Sequence, residues 1–250
     1  MKKLFVFLVL MIFILYSCNS EFLKPEDEVT NFDYTKYYIN LDYIPGGGSQ
    51  FSCEDILYSI GKSSTKDMLC IRGIVNPDSL TSIANCLENN KLLVYLDLRY
   101  ASYNRSDGSK IWGNFFQSKT NLKAIYFPYD IGEIYYNVFQ DCSNLEILII
   151  PASLVTMRPN MFANCTKLTT VLYYGTKIIF KGGDTPGESW TGISLEQMTL
   201  YLANINRNEV SESDMNPNPT SGYGSWPKWA GYKWKEVKFK GEFDEKAIVR

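Results

Sequence analysis

The chain has 250 residues, 45% of them hydrophobic and 21% charged, with a formal net charge of −2 and no histidine. That balance is globular and sized for one extended domain, and it lacks the basic footprint of a nucleic-acid-binding protein. The missing histidine excludes His-based triads, Cys–His dyads, His-ligated metals and imidazole proton shuttles.

The first residues read as an export signal. Lys2 and Lys3 supply its charge, and Leu4 to Tyr16 give 13 consecutive apolar residues. A membrane span needs ~20, so the run fits a signal segment better than a transmembrane helix. Leu15-Tyr16-Ser17-Cys18 resembles the bacterial lipobox, with a small Ser17 before the cysteine and an unusually bulky Tyr16. The resemblance implies a lipoprotein signal peptide over residues 1–17, lipidation of Cys18, and an anchor in the outer membrane with the protein at the cell surface. Each buried acyl methylene contributes ~0.8 kcal/mol, so several chains on one cysteine hold firmly. Removing the signal leaves 23 basic against 27 acidic residues, a net charge of −4.

Residues 18–50 read as the lipidated N-terminus followed by a tether. Pro25, Glu26, Asp27 and Glu28 lie early in it, and Pro45 with Gly46, Gly47 and Gly48 closes it. A coil of ~30 residues averages roughly 30 Å end to end, enough to lift a domain off a membrane. Packing of Tyr34, Tyr37, Tyr38 and Tyr43 on the start of the following domain is the alternative, and composition leaves both open.

Residues 51–241 read as one repeat domain with a cap at each end. Ser52 can cap a helix carrying Ile56, Leu57 and Ile60. Asp78 or Ser79 can cap a second, with Leu80, Ile83, Ala84 and Leu87 at helical spacing. Leu69 and Ile71 make an opening strand between the two.

From Ile111 onward the chain repeats itself. Phe116, Phe139 and Phe162 are 23 residues apart, and so are Asn114, Asn137 and Asn160. A fixed period of this length means stacked units, none of which buries its apolar face alone. Each unit ends in L-x-x-L-x-L: Leu93-Leu96-Leu98, Leu122-Ile125-Phe127, Leu145-Leu148-Ile150, Leu168-Val171-Tyr173 and Leu195-Met198-Leu200. Trp234-Val237-Phe239 repeats the spacing at the exit, giving seven strands with the opening one. The final alternation has the period of a strand with one buried face. The Asn column is expected to point inward and satisfy backbone groups of the turns.

Two insertions interrupt the period, a polar loop over residues 103–108 and a Pro- and Gly-rich stretch from Asn216 to Gly224, both unsuited to regular structure. Trp226, Trp229, Tyr232 and Trp234 then suit a cap over the last strand, with a sugar-stacking platform as the alternative. Residues 242–250 form a C-terminal tail.

Residues between the repeated positions face away from the core. One such column is Asp97, Tyr126, Ile149, Leu172 and Thr199. A second is Tyr95, Ala124, Ile147, Thr170 and Gln197, and a third is Arg99, Pro128, Pro151, Tyr174 and Tyr201. The candidate ligand-binding residues on this face are Tyr95, Asp97, Arg99, Tyr126, Ile149, Leu172, Tyr174 and Tyr201, expected to form an exposed apolar and aromatic stripe.

Cys53, Cys70, Cys86, Cys142 and Cys165 remain after Cys18. An odd count argues against a complete disulfide framework. Cys142 and Cys165 share a repeat position and should stack as buried thiols, with a bond between them as the alternative. No metal-ligand spacing or phosphate loop occurs, so no cofactor is expected. Asp97, Glu133 and Glu146 are the carboxylates an enzyme would have to recruit, and the preferred reading is that there is no enzyme.

The unit N-x-F-x-x-C-x-x-L-x-x-L-x-L-P, complete from Asn137 to Pro151 and nearly so from Asn160 to Tyr173, resembles the BspA-like leucine-rich repeats of bacterial surface proteins. In the preceding unit Lys119 replaces the Cys, and in the following one Tyr174 replaces the Pro. The resemblance implies an α/β, right-handed solenoid with a parallel sheet on its concave face, mostly β with short helices at the N-terminal end. It also implies adhesion or ligand binding. The partner would be a host or bacterial surface protein, reached from a lipid anchor; the alternative is a glycan, taken up by an outer-membrane nutrient system.

Overall fold

The computed structural model describes residues 38–40, 52–62, 67–103, 110–111, 113–154, 156–176, 181–182, 188–194, 196–210 and 232–248. All lie within one compact unit, Tyr34–Arg250. The signal segment, Cys18, most of the tether, the two insertions (Tyr103 apart), and Trp226 and Trp229 lie outside the described residues.

The main sheet has eight strands, all parallel to their neighbours: β1 Tyr38–Asn40, β2 Met68–Val75, β3 Val94–Tyr103, β5 Leu122–Tyr126, β7 Ile147–Ile150, β9 Thr170–Tyr173, β11 Thr199–Leu202 and β12 Glu236–Lys238, in that order. A second parallel ladder of two-residue strands joins β4 Lys110–Ile111, β6 Glu133–Ile134, β8 Thr156–Met157 and β10 Lys181–Gly182. Each turn of the chain thus contributes one strand to the main sheet, and the middle turns also add a short strand to the return side. The expected repeat solenoid with a parallel sheet is what forms. Strand β1 was not expected: it pairs with β2 through Tyr38↔Cys70. The sheet therefore starts inside the segment read as tether.

Helix α1 (Cys53–Lys62) and helix α2 (Pro77–Asn90) form the first two returns. Ser52 starts α1 as expected, its hydroxyl accepting from the Asp55 amide at 3.3 Å, and Ile56 and Ile60 face inward. Leu57 instead points to solvent. The cap of α2 sits earlier than expected. Asn76 accepts from the Ser79 amide at 2.9 Å and Ser79 returns the bond. Pro77 explains the shift, since a proline without an N–H suits the first helical position and pushes the cap back to Asn76.

Leu69, Leu96, Ile125, Leu148, Val171 and Leu200 stand side by side in strand register and are all fully buried. Two positions correct the sequence reading. Val94, not Leu93, fills the first apolar place of β3, because a register shift separates Val94 from Tyr95; Leu93 is left exposed. In β11, Leu200 rather than Met198 pairs with Val171. An alternating strand slid by two residues keeps the same face inward, so periodicity alone could not choose between the registers.

Behind the sheet runs a spine of rings. Phe116 and Phe139 stack at 5.3 Å, Phe139 and Phe162 at 5.5 Å, and Phe162 and Trp190 at 5.3 Å. Trp190 is the fourth ring of the column, hidden from the sequence reading because its interval is 28 residues and the ring has changed. Tyr232 and Trp234 close the spine edge-on to one another at 5.0 Å, both buried. They cap; they do not form an exposed platform.

The turns between coils depend on left-handed residues. Ser118, Asp141 and Asn164 have φ of 60°, 63° and 60°, and their amides bond across to the next coil at Gln140, Ala163 and Thr191. Asn137 and Asn160 have φ of 61° and 58°. Their repetition therefore reflects a backbone conformation that Asn tolerates well. They are half-buried, and Asn114, whose φ is not positive, is exposed, so no inward ladder forms. Gly192 continues the left-handed column at φ 77°, where a Cβ would lie 2.1 Å from Asn164 Oδ1.

Candidate interaction face

The register places the predicted residues on one face of the main sheet, turned away from the ring spine. Cys70, Asp97, Tyr126, Ile149, Leu172 and Tyr201 form one continuous row. Met68, Tyr95, Ala124, Ile147, Thr170 and Thr199 form the row beside it. Tyr201 thus joins the central row, and Thr199 moves to the lateral one in place of Gln197, because of the two-residue slide in β11.

The expected exposure is not what forms. Tyr126, Asp97 and Leu172 are 0% exposed, Tyr95 1%, Ile149 2% and Tyr174 8%. With Met68, Cys70, Ala124, Ala203 and Ile248 these residues other than Asp97 make a second apolar cluster, separate from the main core. The sequence shows which side of a strand a residue takes, but not what covers that side.

At the C-terminal end the cover is the chain's own tail. Asp244 caps a short 3₁₀ turn, Glu245–Ala247, by accepting from the Lys246 amide. Phe243 meets Tyr201 edge to face at 5.1 Å, the Tyr174 hydroxyl donates to Glu245, and Ile248 is buried in the cluster. Arg207 ties down the approach to this tail with two bonds to Glu242, at 2.6 and 2.8 Å. Arg207 first, then the Phe239 amide, holds the Glu242 carboxyl below its ordinary pKa.

At the other end the face carries an ion pair. Arg99 grips Asp97 through Nε at 3.0 Å and Nη2 at 2.6 Å, and its guanidinium lies 4.7 Å from the centre of the Tyr126 ring. Burial disfavours the Arg99 cation, but the Asp97 carboxylate outweighs it and raises the guanidinium above its usual range. Paired this way, Asp97 is satisfied within an apolar setting, as a buried carboxylate must be.

The other nominated carboxylates are also paired. Glu133 is nearly buried between Lys110 at 3.0 Å and Arg158 at 2.5 Å, and Glu146 sits 3.8 Å from Lys123. Among the described residues no group of three or more metal-ligating side chains converges.

Cys53 and Cys86 are disulfide-bonded, clamping α1 to α2, a pairing the sequence did not reveal. Cys142 and Cys165 are free and buried, as the stacking expectation held. Their thiols donate to the Phe116 and Phe139 carbonyls at 2.9 and 3.1 Å. The neighbouring Cys142 thiol and burial together push the Cys165 thiol above the usual thiol pKa.

The BspA type leucine rich repeat region matches residues 48–169 in six copies. No curated protein matches the chain. The structure carries the same parallel stacking past the matched residues through β9, β11 and β12. Repeats of this kind build protein-interaction scaffolds and are typically not enzymes. Residues 48–169 belong to the BspA-type leucine-rich repeat family.

Proposed function

We propose that this protein is a lipoprotein of the outer membrane, anchored through Cys18, that presents its repeat domain at the cell surface to bind a host or bacterial surface protein. One observation carries the binding role: the row Tyr126, Ile149, Leu172 and Tyr201 is apolar or aromatic on the face turned from the core. A sheet face meant for water alternates apolar inside with polar outside. This one is built to be covered, and at Tyr174 and Tyr201 its cover is a short tail held by a few side chains. The tail occupies the ground a partner protein would take. The Cys53–Cys86 bond supports export, since such bonds persist in oxidising compartments.

The test compares the full protein, a version ending at Gly241, and Tyr201→Ser for capture of surface proteins from host cells and neighbouring bacteria. Withdrawing the tail should raise capture several-fold, and Tyr201→Ser should lower it. Equal capture by all three would remove this face from consideration. Labelling with a tagged fatty acid, lost in Cys18→Ala, checks the anchor, and protease treatment of intact cells checks its outward orientation.

A further inference from the structure

A groove of about 370 Å³ lies where the helical returns give way to the first 23-residue unit. Its volume falls within the ~300–1,000 Å³ range of small-ligand sites. One wall is the outer stripe of α2, where Thr81 and Asn85 stand four residues apart and face solvent. The other is the turn from Asn114 to Lys119.

The groove exists because two kinds of return meet there. In the later units each turn packs on a turn like itself. Val138 and Met161 are fully buried, and the Cys142 and Cys165 thiols reach the carbonyls of the coil before. The first turn follows a helix and has no such neighbour. At the same two repeat positions it carries Phe115, half-buried, and Lys119. Both line the groove.

The chemistry of the walls is specific. Lys119 is neutralised by an ion pair with Glu88 on α2, so the groove offers little to an anion. What remains is a set of amides and hydroxyls. The Gln117 amide is held by Gln140 at 3.3 Å, and the Thr81 hydroxyl donates to the Pro77 carbonyl at 2.9 Å, leaving its lone pairs to accept. The side-chain amides of Asn85 and Asn114 make no hydrogen bond among the described residues, and each offers donors and an acceptor. Beside them Phe115 lies close over Gly113, where an added Cβ would come within 3.4 Å of the ring and φ is 89°. Half-buried, the ring supplies the groove's apolar floor. A floor of one ring, fringed by neutral groups that both give and accept hydrogen bonds, matches a molecule with an apolar C–H face and a rim of hydroxyls.

We propose that this groove binds an uncharged saccharide, one or two sugar units of a glycan, stacked on Phe115 and hydrogen-bonded by Asn85, Asn114 and Gln117. It is separate from the sheet face and does not depend on the protein-binding role.

The test uses the purified full protein in detergent. Titrations with glucose, galactose, mannose, N-acetylglucosamine, lactose and maltose are set against glucuronate and sialic acid. At least one neutral sugar should bind. Asn85→Ala and Asn114→Ala, both on the surface, should each weaken it roughly ten-fold, with the thermal midpoint unchanged. Phe115→Ala should abolish binding and Phe115→Tyr should keep it. The proposal fails if no neutral sugar binds, if only the acidic sugars bind, or if binding survives both asparagine substitutions.

Discussion

The middle of this molecule and its two ends are held together by different means. From Gly113 to Tyr173 each coil repeats the contacts of the last: a ring on a ring, a left-handed turn on a left-handed turn, a thiol on a carbonyl. At the ends the regular period is lost and single devices take over. The first two returns are helices joined by a disulfide, and the last coil is closed by Tyr232 and Trp234. A stack of like units needs neighbours on both sides, so its ends require devices the units themselves do not carry. The sugar-sized groove and the tail's contacts with Tyr174 and Tyr201 both occur where the repetition is broken.

The comparison is tested most severely in the middle of the ring spine. Phe139 is 1% exposed, with Phe116 and Phe162 on either side of it. Phe139→Ala should destabilise the fold by about 3–5 kcal/mol. If the middle is a chain of nearest-neighbour contacts, the loss should also split urea unfolding into two transitions, followed by tryptophan fluorescence at the C-terminal end and circular dichroism overall. Tyr232→Ala, at the end of the spine, should leave a single transition. Two transitions in both variants, or in neither, would erase the distinction between middle and end.

The next effect belongs to the N-terminal end alone. Cys53 and Cys86 are 33 residues apart in sequence. Closing a loop of that length stabilises by about 3–4 kcal/mol in the chain-entropy account. Cys53→Ser with Cys86→Ser should lower stability by that order and increase hydrogen exchange in α1 and α2, with β7 and β9 unaffected. Uniform loss of protection across all strands would mean the N-terminal end is not a separate device.

Legibility follows the same division. Phe116, Phe139 and Phe162 could be placed in one column from sequence because two equal intervals, kept by Asn114, Asn137 and Asn160 as well, leave no other explanation. Trp190 escaped, since a 28-residue interval and a changed ring break the pattern. Strand β1 escaped because three residues within an aromatic stretch show no alternation. The Cys53–Cys86 pairing depends on how two helices dock, which spacing does not encode. The face of Tyr126, Ile149 and Leu172 was assigned to the right side of the sheet but taken as open, because strand period shows which side a residue takes and not what packs over it. The groove beside Phe115 was visible only as Lys119 in place of a cysteine.

The smallest effect lies at the border between middle and end. Gly192 follows Asn164 after the first irregular interval, yet it keeps the left-handed turn, with φ 77°. A side chain there is penalised twice, by the conformation and by the approach of its Cβ to Asn164 Oδ1 at 2.1 Å. The conformational share is about 1–2 kcal/mol. Gly192→Ala should therefore cost at least that much, read from the shift of the urea midpoint. In an Asn164→Gly background the collision is gone and the left-handed turn is retained, so the same substitution should cost only the conformational share. That background also removes the bond from Asn164 to Asp141 at 2.8 Å, so the comparison is between the two Gly192→Ala steps and not between the two parents. A smaller cost in the Asn164→Gly background would show that the coil at Gly192 still stacks on the 23-residue units as they stack on one another. Equal costs would show that the regular stack has already ended at Asn164.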